Sequence, residues 1–252
     1  MLLRTEKLSK RFGGVDAVKA VDLEIESGAV FSIIGPNGAG KTTLLNLLTG
    51  IYRPSAGRIV LEGRELNGAA PYHFAAAGIG RTFQTPQIFL NMSALENVMA
   101  GRYLHEPCGL WTALLRLPGL ARAERACRDE AARLLAFVGL EEWAGTPAEG
   151  MPYGALKRLE LARALASQPK LLLLDEPAAG LNPIETLEID RLIQRLSARG
   201  VTVVLVEHNM KLVMGVSQRV LVLDYGRKIA VGDPETISRD ARVIEAYLGA
   251  AA

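Results

Sequence analysis

The chain has 252 residues, 49% of them hydrophobic and 22% charged, with a formal net charge of +2. That composition suits a globular protein that can bury a substantial core. The length fits one large α/β domain, since such folds reach ~250 residues as a unit. The charge balance gives no support for nucleic-acid binding, and there is no run of ~20 apolar residues that could cross a bilayer, so contact with a membrane would be made through another chain. The opening Met1-Leu2-Leu3-Arg4-Thr5-Glu6-Lys7 is charged too early for a signal peptide. Cys108 and Cys127 form no C-x-x-C pair and have no His cluster beside them, so reduced thiols are expected rather than a disulfide or a metal site.

In chain order, Val30-Phe31-Ser32-Ile33-Ile34 reads as a buried strand ended by Gly35, and Thr42 to Thr49 as the helix that follows. From about Met92 to Gln168 helix signals dominate, broken at Glu106-Pro107, Pro118-Gly119 and Thr146-Pro147. Within that stretch Ala121 to Val138, rich in Ala, Arg and Glu, reads as a surface helix. Leu171 to Leu174 is a second buried strand and Val201 to Val206 a third. Between them Pro183 to Arg199 predicts a helix with Ile189, Leu192, Ile193 and Leu196 on one face. Asn182 is placed to cap it and Glu185 to close a capping box. Asp224-Tyr225-Gly226-Arg227 predicts a hairpin turn, followed by a short strand and a terminal helix; the last alanines are expected to fray. Apolar strands alternating with helices imply a mostly parallel sheet covered on both faces.

Gly35-Pro36-Asn37-Gly38-Ala39-Gly40-Lys41-Thr42 fits G-x-x-x-x-G-K-[ST] and stands between a predicted strand and a predicted helix, the setting this phosphate-binding loop requires. Its glycines let backbone N–H groups curl inward as an anion nest, and the helix N-terminus behind adds a partial positive charge. Lys41 supplies a point charge for the β- and γ-phosphates, and the Thr42 hydroxyl is a hard oxygen suited to Mg²⁺. Asp175-Glu176 ends the second strand, at the same carboxyl edge of the sheet. There Asp175 can hold Mg²⁺ through water, and Glu176 can orient and deprotonate an attacking water, worth ~10²–10⁴ in rate.

With these motifs the sequence resembles the ABC ATPases over nearly its whole length. The resemblance implies a P-loop NTPase core with a mostly parallel sheet, a β-rich N-terminal part and an inserted helical subdomain. Residues of about 1–84 and 168–224 would form the nucleotide-binding core, about 85–167 the helical subdomain, and about 225–252 a hairpin and helix. By the same resemblance Phe12 stacks on adenine, and residues Gly35 to Thr42 with the adjoining Thr43 hold ATP. Gln84, in Arg81-Thr82-Phe83-Gln84, contacts Mg²⁺ and the attacking water, and His208 after Glu207 bonds the γ-phosphate and keeps Glu176 in line. Met151-Pro152-Tyr153-Gly154-Ala155 stands where the family's signature loop lies, with Lys157 to Leu165 continuing its helix. Pro152 replaces the usual Ser and Ala155 the usual Gln, which leaves the N–H groups of Tyr153 and Gly154 for ATP held by an opposite subunit. Asn182 takes the place of the family's D-loop aspartate.

The stretches Glu176-Pro177-Ala178-Ala179-Gly180-Leu181-Asn182-Pro183, Glu207 to Gly215, Gly109-Leu110-Trp111 to Pro118 and Val243 to Gly249 are similar to the branched-chain amino acid importer ATPases. Related subfamilies for urea uptake and lipopolysaccharide export share much of this. The resemblance implies ATP and Mg²⁺ as cofactors and a position at the cytoplasmic face of the cell membrane. As partners it implies two transmembrane permease subunits, a second ATPase subunit that is the same chain or a paralogue and, indirectly, an extracytoplasmic substrate-binding protein. Two other readings stand beside it. A soluble ABC protein acting on ribosomes or DNA would more often carry two phosphate loops, and a P-loop kinase of small metabolites would need neither signature helix nor His208.

Overall fold

The computed structural model describes residues 1–104 and 118–248. Cys108, the Glu106-Pro107 break, the segment beginning Gly109-Leu110-Trp111 and the final alanines lie outside the described residues. The chain divides into two compact units, Met1–Arg81 with Lys170–Ala252, and Thr82–Pro169.

The first unit contains two sheets. Strands β1 (Leu3–Phe12) and β2 (Val15–Ile25) form a hairpin around Gly13-Gly14 and join β4 (Ala56–Leu61) and β5 (Arg64–Glu65) in an antiparallel sheet ordered β2-β1-β4-β5. The second sheet runs β10-β9-β3-β8-β7-β6, with β3 (Val30–Ile34), β6 (Ile79–Arg81), β7 (Leu171–Asp175), β8 (Thr202–Val206), β9 (Arg219–Asp224) and β10 (Arg227–Gly232). All pairings in it are parallel except β9 with β10, the hairpin expected at Asp224 to Arg227. Every residue of β3, β7 and β8 is buried, as strands covered on both faces must be.

The two-residue strand period splits the core. Phe31, Ile33, Leu171, Leu173, Val204, Val206, Leu221 and Leu223 pack on one side with Leu44, Leu45, Leu47 and Leu48 of α1 (Lys41–Leu48) and with the antiparallel sheet. Ile34, Val220 and Val222 pack on the other side with Val213 of α7 (Met210–Val216), Ile237 of α8 (Pro234–Arg239) and Val243 of α9 (Ala241–Leu248). A short α2 (Pro71–Ala76) also lies in this unit; Pro71 opens it at the first helical position, a signal that sequence reasoning missed.

Helix α6 (Pro183–Ala198) buries Ile189, Leu192, Ile193 and Leu196, each worth about 1.5–3 kcal/mol when fully covered. Its capping box is reciprocal: Asn182 Oδ1 accepts from the N–H groups of Ile184 (2.9 Å) and Glu185 (3.0 Å), and Glu185 Oε2 accepts from that of Asn182 (2.9 Å). The single terminal helix expected from the sequence is instead two. Asp240 leaves the helical region at ψ 119° and its carboxylate accepts from the N–H of Arg242 (2.9 Å), which starts α9 afresh.

The second unit is helical: α3 (Ala94–Ala100), α4 (Pro118–Phe137) and α5 (Tyr153–Ala166), with 3₁₀ turns at Glu141–Trp143 and Ala148–Gly150. Helix α4 is more than the surface helix its composition suggests, because Cys127, Ala131 and Leu135 form a buried stripe at helical spacing. Among the described residues no helix is long and apolar enough to cross a membrane.

Candidate active site

The loop from Gly35 to Gly40 leaves the carboxyl end of the central strand β3 and enters α1. Gly40 caps the helix at φ 100°, a conformation that side chains disfavour, and a Cβ there would stand 2.3 Å from the Ala17 carbonyl oxygen on β2. The β9–β10 turn packs on the same place, with the Gly226 N–H donating to Ala39 O (3.0 Å) and that of Lys19 to Gly226 O (2.7 Å). The loop is thus held by close backbone contact with two neighbouring strand systems. On the far side of the loop the Tyr247 hydroxyl of α9 is buried beside the Gly35 backbone, and burial pushes its pKa up.

Lys41 is only 7% exposed. Its ammonium donates to the carbonyls of Gly35 (2.7 Å) and Pro36 (3.0 Å), so it is folded back over the loop. Burial lowers its pKa, and the charges of Glu176 and Asp175 oppose that shift, so this cation feels both acids. Thr42, next in the chain, is exposed, Thr43 is half-buried, and a short turn joins Ala39 N–H to Pro36 O (3.2 Å).

Asp175 is 4% exposed at the end of β7, and Glu176 follows at φ 49°. A non-glycine residue held in that region is strained by roughly 1–3 kcal/mol, and such strain clusters where a side chain must be aimed. Glu176 Oε1 lies 2.7 Å from His208 Nε2; with Glu176 a carboxylate, the imidazole is the donor. The backbone places the two partners, since Glu176 N–H donates to Val206 O (2.9 Å), one residue beyond the register pair Asp175 and Val206.

Glu207, buried at 3%, fixes both loops from beneath. Its carboxylate accepts from the N–H groups of Ala178 (2.9 Å), His208 (3.0 Å) and Asn209 (3.3 Å). The first belongs to the segment after Glu176 and the others to the segment bearing His208. Sequence reasoning named Glu207 only as a neighbour of His208. The signal was available: an acid directly continuing an apolar strand must be satisfied by nearby donors.

Phe12, 43% exposed as a residue, ends β1 with its ring edge-on to Tyr52 at 5.2 Å between centroids and with Lys10 Nζ 5.0 Å from its own centroid. An exposed ring backed by a second aromatic suits base stacking. A cavity of about 680 Å³ opens along the outer side of the loop, lined by Asn37, Gly38, Tyr225, Lys228, Arg242 and Glu245 among others.

Gln84, Tyr153 and Gly154 belong to the second unit. Pro152 stands at the cap of α5 with φ −66° and no side chain capping the helix, so the first N–H groups there come from Tyr153 and Gly154. Farther along α5 two buried charged residues grip the segment around Gln84. Lys157 Nζ donates to Gln84 O (2.6 Å), and Glu160 Oε1 accepts from the N–H groups of Phe83 (3.2 Å) and Gln87 (3.1 Å). Burial raises the pKa of Glu160 and outweighs the opposing effects of those N–H groups, Lys157 and Arg163.

Magnesium was expected from the sequence, and the oxygens present fit it. Thr42 offers an exposed hydroxyl and Asp175 a carboxylate, both hard donors, while among the described residues no cluster of three or more His, Cys, Asp or Glu forms a metal cage. Hard oxygen donors are what Mg²⁺ prefers, and it is commonly held by one or two carboxylates together with substrate phosphates.

A glycine-rich loop on a helix N-terminus, a histidine just beyond the end of the neighbouring strand β8 and adjacent acids at the end of the next strand β7 define a P-loop nucleotide-binding cassette. Comparison with known proteins makes this specific. The ABC transporter family profile matches residues 18–179, and the profile described as branched-chain amino acid ATP-binding cassette transporter matches residues 227–252. The high-affinity branched-chain amino acid transport ATP-binding protein LivG of Salmonella typhimurium is 45% identical over 251 residues, 99% of this chain and 98% of that protein. An ATP-binding cassette of an ABC transporter solved in its ADP conformation superposes with a TM-score of 0.85 at 32% identity, covering 98% of each chain. A dimeric ATP-binding cassette bound to ADP and Pi gives 0.79 at 25% identity, over 92% of this chain and 99% of that one. The chain belongs to the ABC transporter family, as one of its ATP-binding cassettes.

Proposed function

We propose that this chain is the ATP-hydrolysing subunit of an importer for branched-chain amino acids, working on the cytoplasmic face of the cell membrane. The reading rests above all on the 2.7 Å contact of Glu176 with His208 beside the phosphate loop. ATP is held by the N–H groups of residues 35–42, with Phe12 under the base and Lys41 exchanging the Gly35 and Pro36 carbonyls for phosphate oxygens. Glu176 takes the proton of the attacking water, and His208 keeps that carboxylate aimed. Thr42 and Asp175, with Gln84, would hold Mg²⁺, which supplies charge neutralisation at the phosphates.

The N–H groups of Tyr153 and Gly154 serve the ATP of an opposite ATPase subunit, so the working form is a dimer, of identical or paralogous chains, that closes on nucleotide. Two permease subunits convert that closure into transport, and a substrate-binding protein delivers the cargo from outside; nucleic acid has no part. The branched-chain assignment follows from the match at residues 227–252 and the 45% identity with LivG. Uptake of labelled leucine, isoleucine, valine and urea, compared before and after deletion of the gene, tests it. Loss of the three amino acids with urea unaffected is expected, and loss of urea alone would contradict it.

A further inference from the structure

Arg81 ends the edge strand β6, in parallel register with Leu173 of β7. Two residues on along β7, and therefore on the same face, is Asp175. The Arg81 guanidinium spans the gap: Nη2 donates to Asp175 Oδ2 (2.9 Å), while Nη1 donates to Asn46 Oδ1 (2.6 Å) and Thr49 Oγ1 (3.3 Å). Asn46 lies within α1 and Thr49 caps its end, so one side chain ties three elements together. Both charged side chains are only 6% exposed.

Stability is a poor explanation for such a pair, because well-packed apolar side chains commonly serve a core as well as a buried ion pair. What the pair supplies is fixed geometry. Arginine's planar fork holds a carboxylate in a defined orientation, which a flexible lysine does not. The helix it anchors is the one whose first turn carries Thr42.

We propose that Arg81 is a positioning residue for the magnesium site: it fixes the Asp175 carboxylate relative to α1, so that the oxygen donors of Asp175 and Thr42 are set before the cation arrives. This rests on the reading that Asp175 holds Mg²⁺, and the experiment separates the two. Mn²⁺ affinity is measured by electron paramagnetic resonance on the full-length protein with ATP, in a Glu176→Gln background that limits turnover. ATP affinity without metal and the melting temperature are followed in parallel. Arg81→Lys keeps the charge and loses the fork, Arg81→Gln loses the charge, and Asp175→Asn is the reference.

Both Arg81 variants should weaken Mn²⁺ by about 10–100-fold, the range for partners that orient a metal ligand, with metal-free ATP affinity unchanged. Asn46→Ala removes one anchor of the guanidinium and leaves the ion pair in place. It should weaken Mn²⁺ several-fold, and it decides the matter if the Arg81 variants do not fold. Unchanged Mn²⁺ affinity in the Arg81 and Asn46 variants, with Asp175→Asn weakened, would overturn the proposal. Tighter Mn²⁺ in Arg81→Gln would do the same, by showing that the arginine acts only as a charge. If Asp175→Asn itself leaves Mn²⁺ affinity unchanged, the underlying reading of the site fails instead.

Discussion

Replacing Gly40 with alanine tests how the phosphate loop is held. The added Cβ would lie 2.3 Å from the Ala17 carbonyl oxygen and 3.5 Å from Gly226 Cα, both backbone atoms of neighbouring strands or turns. At φ 100° the alanine is also strained. Strain of roughly 1–3 kcal/mol and overpacking of roughly 1–3 kcal/mol add to roughly 2–6 kcal/mol. A chain of this size loses about 2–4 °C in melting temperature per kcal/mol, so a fall of about 4–24 °C is expected. Gly38, two residues earlier, is the control. It has φ 82°, but an added Cβ would meet no atom within 4 Å, so Gly38→Ala carries only the left-handed penalty of about 1–2 kcal/mol. Thermal melts followed by circular dichroism, without nucleotide, compare the two. Equal melting temperatures for Gly38→Ala and Gly40→Ala would refute the claim that close backbone packing fixes the loop at Gly40.

Glu176→Gln should keep nucleotide binding, lower turnover by about 10²–10⁴-fold and accumulate an ATP-bound dimer; steady-state hydrolysis with size-exclusion chromatography reads this, and near-parent turnover would remove Glu176 as the base. Phe12→Ala should weaken ATP by about 5–150-fold, the equivalent of ~1–3 kcal/mol of stacking; a fluorescent-nucleotide titration showing no change would remove Phe12 from the site. For Glu160, burial raises the pKa above its ordinary value of 4.5, so between 4.5 and the raised value the folded chain binds more protons than the unfolded one. Its contribution to stability is therefore greatest below that window and is lost as pH rises through the folded pKa. Glu160→Gln should flatten this part of the pH dependence in denaturant melts, whereas identical slopes for parent and variant would contradict it.

The strands and helices around the loop were legible because each carries a local signal. Val30 to Ile34 and Leu171 to Asp175 are apolar nearly throughout, as strands with two covered faces must be. The cap at Asn182 is written in three side chains within one turn. The break between α8 and α9 was not legible, since Asp240 reads as an ordinary helical acid until its carboxylate is seen bonded to the Arg242 N–H. The phosphate loop, Asp175 and Glu176 could be named from spacing and context, and His208 from family resemblance.

Their supports could not. Arg81 meets Asn46 and Asp175 across 35 and 94 residues of sequence, and Glu207 meets Ala178 across 29. Contacts of that kind are set by strand order and register, which a single sequence read locally does not specify. A charged residue inside or beside an apolar run is the one trace they leave. Arg81, Glu160 and Glu207 each show it, and each proves to be gripping backbone or a partner charge.

The central claim is that residues 35–42 hold the phosphates of a nucleotide with Lys41 as their counter-charge. Isothermal calorimetry of the parent and of Lys41→Ala with ATP and magnesium tests it most directly. Saturable binding by the parent is expected, weakened by about 10–150-fold in the variant, as loss of charge-assisted hydrogen bonds worth ~1.5–3 kcal/mol requires. No binding by the parent, or equal binding by both proteins, would contradict it.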